Sequence, residues 1–135
     1  MYMLDSCTCI AFMRGRLPIG YDVFRQSDPR LFKIPAIVEA ELRFGALKSR
    51  NPAKSRILLE TFLAPFEIVD FDARCAAAYA RLRTMLESAG TPIGPNDMLI
   101  AATALAHEAV LVTNNAREFK RVPGLSLQSW EECSL

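Results

Sequence analysis

The run Gly94-Pro95-Asn96-Asp97-Met98-Leu99-Ile100-Ala101-Ala102-Thr103-Ala104-Leu105-Ala106-His107, followed by Val110-Leu111-Val112-Thr113-Asn114-Asn115, decides the fold. Proline suits the first helical turn, where its missing N–H has no intrahelical partner to lose. From Asn96 to His107 the residues predict a helix that is apolar almost all round, and such a helix belongs in an interior. Val110 to Thr113 predicts a short strand, closed by amides that build turns.

Working outward, Met1 to Leu4, Leu31 to Ile34 and Phe66 to Val69 predict three more strands, with a weak fifth near Leu125 to Leu127. Helical patterns run from about 36 to 49, from 53 to 63 between Pro52 and Pro65, and from 72 to 88 with Asp72 as N-cap and Gly90 as stop. Strands alternating with helices predict an α/β fold. Its mainly parallel sheet of four to five strands would carry helices on both faces, as one domain over residues 1–135. In such sheets ligands bind outside the carboxyl ends of the strands, where the strand order reverses.

Composition sets bounds without choosing a function. Hydrophobic residues make up 51% and charged residues 23%, which excludes disordered and fibrous classes. A net charge of +1 supplies no global pull toward nucleic acid, so any RNA affinity has to come from local clusters. There is no basic segment followed by an apolar stretch at Met1-Tyr2-Met3-Leu4-Asp5, and no apolar run of roughly 18 residues. A cytoplasmic protein without a membrane span is the expectation. Cys7, Cys9, Cys75 and Cys133 then read as reduced, small buried residues. Cys7 and Cys9 as a metal or redox pair would lack a second pair, and the single histidine, His107, lies far along the chain.

Three acids stand in unusual places. Asp5 follows the first strand, at the carboxyl edge of the sheet, where it reads equally as a turn or cap residue. Glu41 shares a helix stripe with Ile37 and Phe44, whereas Glu39 and Arg43 form a solvated i, i+4 pair on another face. A carboxylate is costly to bury unless it is paired or holds a cation, although Glu41 at the rim of that stripe also fits. Asp97 lies in the first turn of the apolar helix, where the dipole favours an acid and where it also faces the edge. Asp70, Asp72, Glu67 and Glu118, with the remaining acids, read as loop, capping or solvated residues.

Three neighbouring carboxylates would take up protons unless a cation neutralised them, and hard oxygen ligands suit Mg²⁺ or Mn²⁺. Such a site fits phosphodiester hydrolysis by water. One histidine rules out a two-histidine ribonuclease mechanism. The sequence holds no GxxxxGK[ST] loop, no GxSxG elbow and no plausible zinc set.

Four motifs in order resemble the VapC-type PIN domains over essentially the whole chain. Met3-Leu4-Asp5-Ser6 is similar to that family's D-[TS] element, and Glu39-Ala40-Glu41-Leu42-Arg43-Phe44-Gly45 to its A-E-L-x-[FY]-G element. Asp97-Met98-Leu99-Ile100-Ala101-Ala102 is similar to its D-x-x-I-A-A helix start, and Thr113-Asn114-Asn115-Ala116-Arg117-Glu118-Phe119 to its T-x-[DN]-x-x-x-F element. The resemblance implies an α/β/α sandwich and an Mg²⁺- or Mn²⁺-dependent endoribonuclease. Asp5, Glu41 and Asp97 would bind metal, with Asn115 in the fourth place, where many members have Asp. A neutral amide there implies one tightly held ion. Ser6 would be a supporting hydroxyl and Thr113 would help hold the pocket, while Cys7 departs from the Asn often found after D-T.

The resemblance also implies a cognate VapB-like antitoxin, a structured RNA substrate such as tRNA, products with 5′-phosphate and 3′-hydroxyl ends, and a homodimer. Ile57, Leu58, Leu59, Phe62 and Leu63 offer a dimer face, which core packing explains as well. Arg14, Arg16, Arg43, Lys48, Arg117, Lys120 and Arg121 are candidates for an RNA-facing rim, although each also reads as a solvated charge. A non-catalytic PIN module that binds RNA or a protein is the rival from another class, and a DNA nuclease shares the site and differs in substrate.

Overall fold

The computed structural model describes residues 1–15 and 18–130, with backbone alone for 18–21. Arg16, Glu131, Glu132 and Cys133 therefore lie outside the described residues. The strands are β1 (Tyr2–Leu4), β2 (Phe32–Pro35), β3 (Glu67–Val69), β4 (Val110–Val112) and β5 (Ser126–Gln128). Between them lie α1 (Ser6–Met13), α2 (Pro18–Gln26), α3 (Ala36–Leu47), α4 (Pro52–Leu63), α5 (Ala73–Ala89), α6 (Pro95–Ala106) and α7 (Ala116–Phe119).

All five strands are parallel, in the order β3-β2-β1-β4-β5. The chain steps outward from β1 to β3, then returns to lay β4 against β1, with Leu4 opposite Val112. Right-handed crossovers in these two opposite directions place helices on both faces of the sheet. The result is a three-layer α/β/α sandwich, with a crevice at the carboxyl edge between β1 and β4, where the order reverses.

Helix α6 is apolar all round because it is enclosed. Met98, Ile100, Ala101, Ala102, Thr103 and Ala104 are buried, and α5 packs along it with Cys75, Ala78, Leu82 and Leu86. Asp72 caps α5 by accepting from the Cys75 N–H at 3.1 Å, and Gly90 ends it at φ 68°, a left-handed conformation open to glycine at no steric cost. An aromatic cluster fills the other side of the core. Phe24 and Trp130 pack on Phe32 with ring centroids 5.4 and 5.5 Å apart, and Phe12 meets Phe24 and Phe62 at 5.8 Å.

Several expectations need correction. Residues 6–26 contain two helices that the pattern does not announce. Ser6-Cys7-Thr8-Cys9-Ile10-Ala11-Phe12-Met13 has almost no polar face, so helical periodicity is invisible in it. Leu31 belongs to a 3₁₀ turn capped by Asp28 and is exposed, α3 stops at Leu47 rather than Ser49, and Thr113 and Leu125 fall outside their strands. Cys9 and Cys75 are buried as expected, whereas Cys7 is exposed. The apolar residues of α4 divide: Leu59 and Leu63 enter the core, and Ile57 and Leu58 face outward.

Leu111, fully buried in β4, tests this account of the core. Leu111→Ala removes packing on one face of the central sheet and should cost about 2–5 kcal/mol in urea unfolding. A loss under about 1 kcal/mol would show that the centre of the sheet is not close-packed.

Candidate active site

Asp5 is the best-anchored acid at the edge. It is 4% exposed and caps α1, its Oδ1 accepting from the Thr8 N–H at 2.8 Å. The Thr113 hydroxyl donates to its Oδ2, and the Thr8 hydroxyl donates to the Val112 carbonyl at 3.0 Å. The two threonines therefore tie the ends of β1 and β4 to one carboxylate. Burial raises the Asp5 pKa above the ordinary carboxylate value, against the lowering effect of its threonine hydrogen bonds.

Glu41 reaches the same region from α3, its Oε1 accepting from the Ser6 hydroxyl at 2.5 Å. The stripe expected to carry it is different in detail. Val38 and Leu42 form the buried face of α3, Phe44 is 63% exposed, and Glu41 is half-buried at the rim. Asp97 lies in the first turn of α6, half-buried.

One acid departs from its reading. Glu118, expected to be a solvated acid, is half-buried and enters the site from α7. Its Oε1 accepts from the Gly94 N–H at 2.7 Å and its Oε2 from the Asn115 Nδ2 at 2.9 Å. Asn115, whose own N–H donates to the Thr113 hydroxyl at 2.9 Å, thus turns its amide toward Glu118. The i, i+3 spacing of Asn115 and Glu118 is the available signal, and a helix of one turn is too short to announce itself by periodicity.

Asp97 and Glu118 share a small space. A β-carbon placed on Gly94 would lie 3.5 Å from Asp97 Oδ2 and 3.6 Å from Glu118 Oε1. Burial first, then Glu118 as hydrogen-bond partner and charge, push the Asp97 pKa up to about 7, with Glu41 and Asp5 adding repulsion. The Gly94 N–H is the main cause that lowers Glu118. Below about pH 7 the pair therefore favours a proton on Asp97, with Glu118 ionised beside it.

Among the described residues, no Lys or Arg forms an ion pair with Asp5, Glu41, Asp97 or Glu118. The donors are hard oxygens carrying uncompensated charge, which fits a small divalent cation. Among the described residues, no three of these acids stand close enough together to form a ready-made metal cage.

The basic candidates differ in their surroundings. Arg43 is compensated twice, by Glu39 at 2.9 Å and Glu60 at 2.6 Å, and so ties α3 to α4. Arg121 donates to the Pro92 carbonyl at 3.0 Å and bears electrostatically on Glu118. Arg14, Arg117 and Lys120 are exposed, and Lys48 lies over the Phe44 ring at 5.1 Å.

A parallel sheet with acids from four separate elements near its carboxyl edge makes this an α/β protein with an acidic crevice, and comparison specifies the class. The profile described as PIN domain matches residues 2–125, so the chain belongs to the PIN-domain family. A protein described as Ribonuclease VapC2 from Rickettsia felis is 41% identical, covering 98% of this chain and 99% of its own length. One described as tRNA(fMet)-specific endonuclease VapC from Salmonella typhimurium is 36% identical, covering 96% and 97%. The crystal structure of DNA-bound VapBC from Salmonella typhimurium superposes with a TM-score of 0.91 at 36% identity, over 96% of this chain and 97% of that one.

The shared proton gives a pH signature. A carboxyl whose folded pKa exceeds its unfolded value binds a proton that the unfolded chain releases, so its contribution to stability falls as pH rises through that window. For Asp97 the window runs from 3.8 to about 7. The lowered Glu118 acts in the opposite sense only below its ordinary value of 4.5. Metal-free protein should therefore lose thermal stability between about pH 5 and 7, and Asp97→Asn should flatten the slope. An unchanged slope in the variant would place the proton elsewhere.

Proposed function

We propose that this chain is a divalent-metal-dependent endoribonuclease, the toxin half of a toxin–antitoxin pair, acting in the cytoplasm on tRNA or other structured RNA. The observation that carries the reading is the approach of Asp5, Glu41, Asp97 and Glu118 to one edge with no cation of their own. Relatives described as ribonucleases and as a tRNA(fMet)-specific endonuclease support the reaction and the substrate. The solved VapBC assembly supports a VapB-like antitoxin as partner.

Asp5, Glu41 and Asp97 hold Mg²⁺ or Mn²⁺, with Glu118 in the place first expected of Asn115. When bound, the ion supplies an activated water and charge stabilisation on the scissile phosphate. The protein's part is positional. Thr8 and Thr113 fix Asp5, Ser6 orients Glu41, and Gly94 and Asn115 orient Glu118. Arg14, Arg117 and Arg121 form an RNA-facing rim, and the products carry 5′-phosphate and 3′-hydroxyl ends.

A groove of about 580 Å³ between α1, α3 and α4 starts at Glu41 and is walled by Ile10, Met13, Leu58 and Phe62. An antitoxin segment in it would reach the acids and block them. Ile57, outside that groove, supplies exposed apolar area for a homodimer. Among the described residues, no helix is long and apolar enough to cross a membrane.

Purified protein incubated with a tRNA pool should cut at discrete positions with Mg²⁺ or Mn²⁺ and not with EDTA. An Asp5→Asn, Asp97→Asn double variant prepared identically should lose at least about 100-fold of this activity, as expected when charge stabilisation is removed. Equal inertness of wild type and variant, with no divalent-ion binding by the wild type, would instead support a non-catalytic binding module. Preferential cutting of DNA under the same conditions would replace RNA as substrate.

A further inference from the structure

Residues 42–59 contain Arg43, Lys48, Arg50, Lys54 and Arg56 and no acid. That segment holds five of the sixteen Lys and Arg, so the other 117 residues carry eleven cations against fifteen acids. The near-neutral total therefore hides a basic end on an otherwise acidic chain. Such a local patch governs binding to polyanions, because phosphate contacts act over short range in salt.

The structure makes these charges available. Lys48, Arg50, Lys54 and Arg56 are exposed and none forms a close ion pair among the described residues, although Arg56 bears electrostatically on Glu60; Arg43 is held by Glu39 and Glu60. They bracket the turn from α3 into α4, which is pinned from inside. The Ser49 and Ser55 hydroxyls share a hydrogen bond at 2.6 Å, Ser49 Oγ donates to the Ala46 carbonyl at 2.8 Å, and Asn51 caps α4 by accepting from the Lys54 N–H at 3.2 Å. Four cations on a fixed turn lose less freedom on binding than four on a loose one.

Their position relates them to the acids. Ser49 and Ser55 line the same groove that starts at Glu41. Six residues along α3 from Glu41 to its end at Leu47 correspond to about 9 Å at the helical rise, and the turn follows directly. The serines that pin the basic turn therefore line a groove that also reaches Glu41, while Arg56 lies on a neighbouring hollow with Arg43 and Pro52.

We propose that the turn around Arg50, Lys54 and Arg56 grips the phosphodiester backbone of the RNA at a distance from the cut, orienting the strand over the acids. This rests on the ribonuclease reading above. A backbone grip is independent of base identity and gives affinity and register, leaving sequence choice to contacts near the scissile bond.

The test is binding of a tRNA pool in EDTA, where no cutting occurs, by wild type and by an Arg50→Ala, Lys54→Ala, Arg56→Ala variant. An Arg74→Ala, Arg81→Ala variant on the exposed face of α5 serves as control. Removing one cation from a phosphate should flatten the log–log dependence of affinity on salt by about 0.7–0.9. The triple variant should lose about two units of slope and at least 10-fold in affinity at low salt, with an unchanged unfolding midpoint. Equal losses in the α5 control would show non-specific charge attraction and overturn the proposal. So would an unchanged slope in the triple variant, or a variant that binds RNA normally and fails only to bind antitoxin. Failure of the wild type to cut any RNA with metal would overturn the ribonuclease reading itself, and the grip with it.

Discussion

Mutual repulsion of carboxylates at the end of β1 and β4 is the constraint around which the rest of the molecule is arranged. Asp5, Glu41, Asp97 and Glu118 come from four elements that could have kept them apart. What holds them near one another is neutral: threonine and serine hydroxyls, an asparagine amide and the Gly94 N–H. A lysine or arginine in the crevice would have relieved the repulsion more strongly and occupied the place a cation needs. Neutral donors fix the oxygens without an ion pair, and burial first, with the neighbouring carboxylates adding to it, raises Asp97 and Asp5.

That arrangement explains why the surroundings are rigid. Asp97 is carried on α6, which is locked between α5 and the sheet, so the acid cannot retreat by helix movement. Asp5 serves at once as helix cap and as receptor for Thr113, joining the two strands at the reversal of strand order. The aromatic cluster around Phe32 and Trp130 does the same for the opposite layer, seating α1 so that Ser6 faces Glu41. Packing strength is thus concentrated where electrostatics alone would push the chain apart.

Legibility in the sequence follows physical signal strength. Strands β1, β3 and β4 and helices α3 to α6 are readable because apolar runs, prolines and caps such as Asp72 mark them. Helix α1 is not, since a segment apolar on every side carries no period. Asp5, Glu41 and Asp97 stand out because each acid sits beside apolar residues. Glu118 does not, because its neighbours Arg117 and Lys120 make it look like one more solvated charge. Its role depends on Gly94, 24 positions away, and that contact exists only once α6 and α7 are packed.

Two of the places that carry positive charge have different consequences for the acids. Arg121 lies close enough to influence Glu118, so any phosphate it draws in arrives at the acids themselves. The cations of the α3–α4 turn stand beside the serines that line the groove reaching Glu41, and of them Arg56 bears on Glu60. An RNA strand spanning both would feel attraction at each end and repulsion over the carboxylates between, until a divalent cation fills that gap. Metal and RNA then favour each other's binding, because each reduces the electrostatic cost of the other. A chain with an overall charge of +1 achieves this by placement alone, since neither set of cations would suffice if spread evenly over the surface.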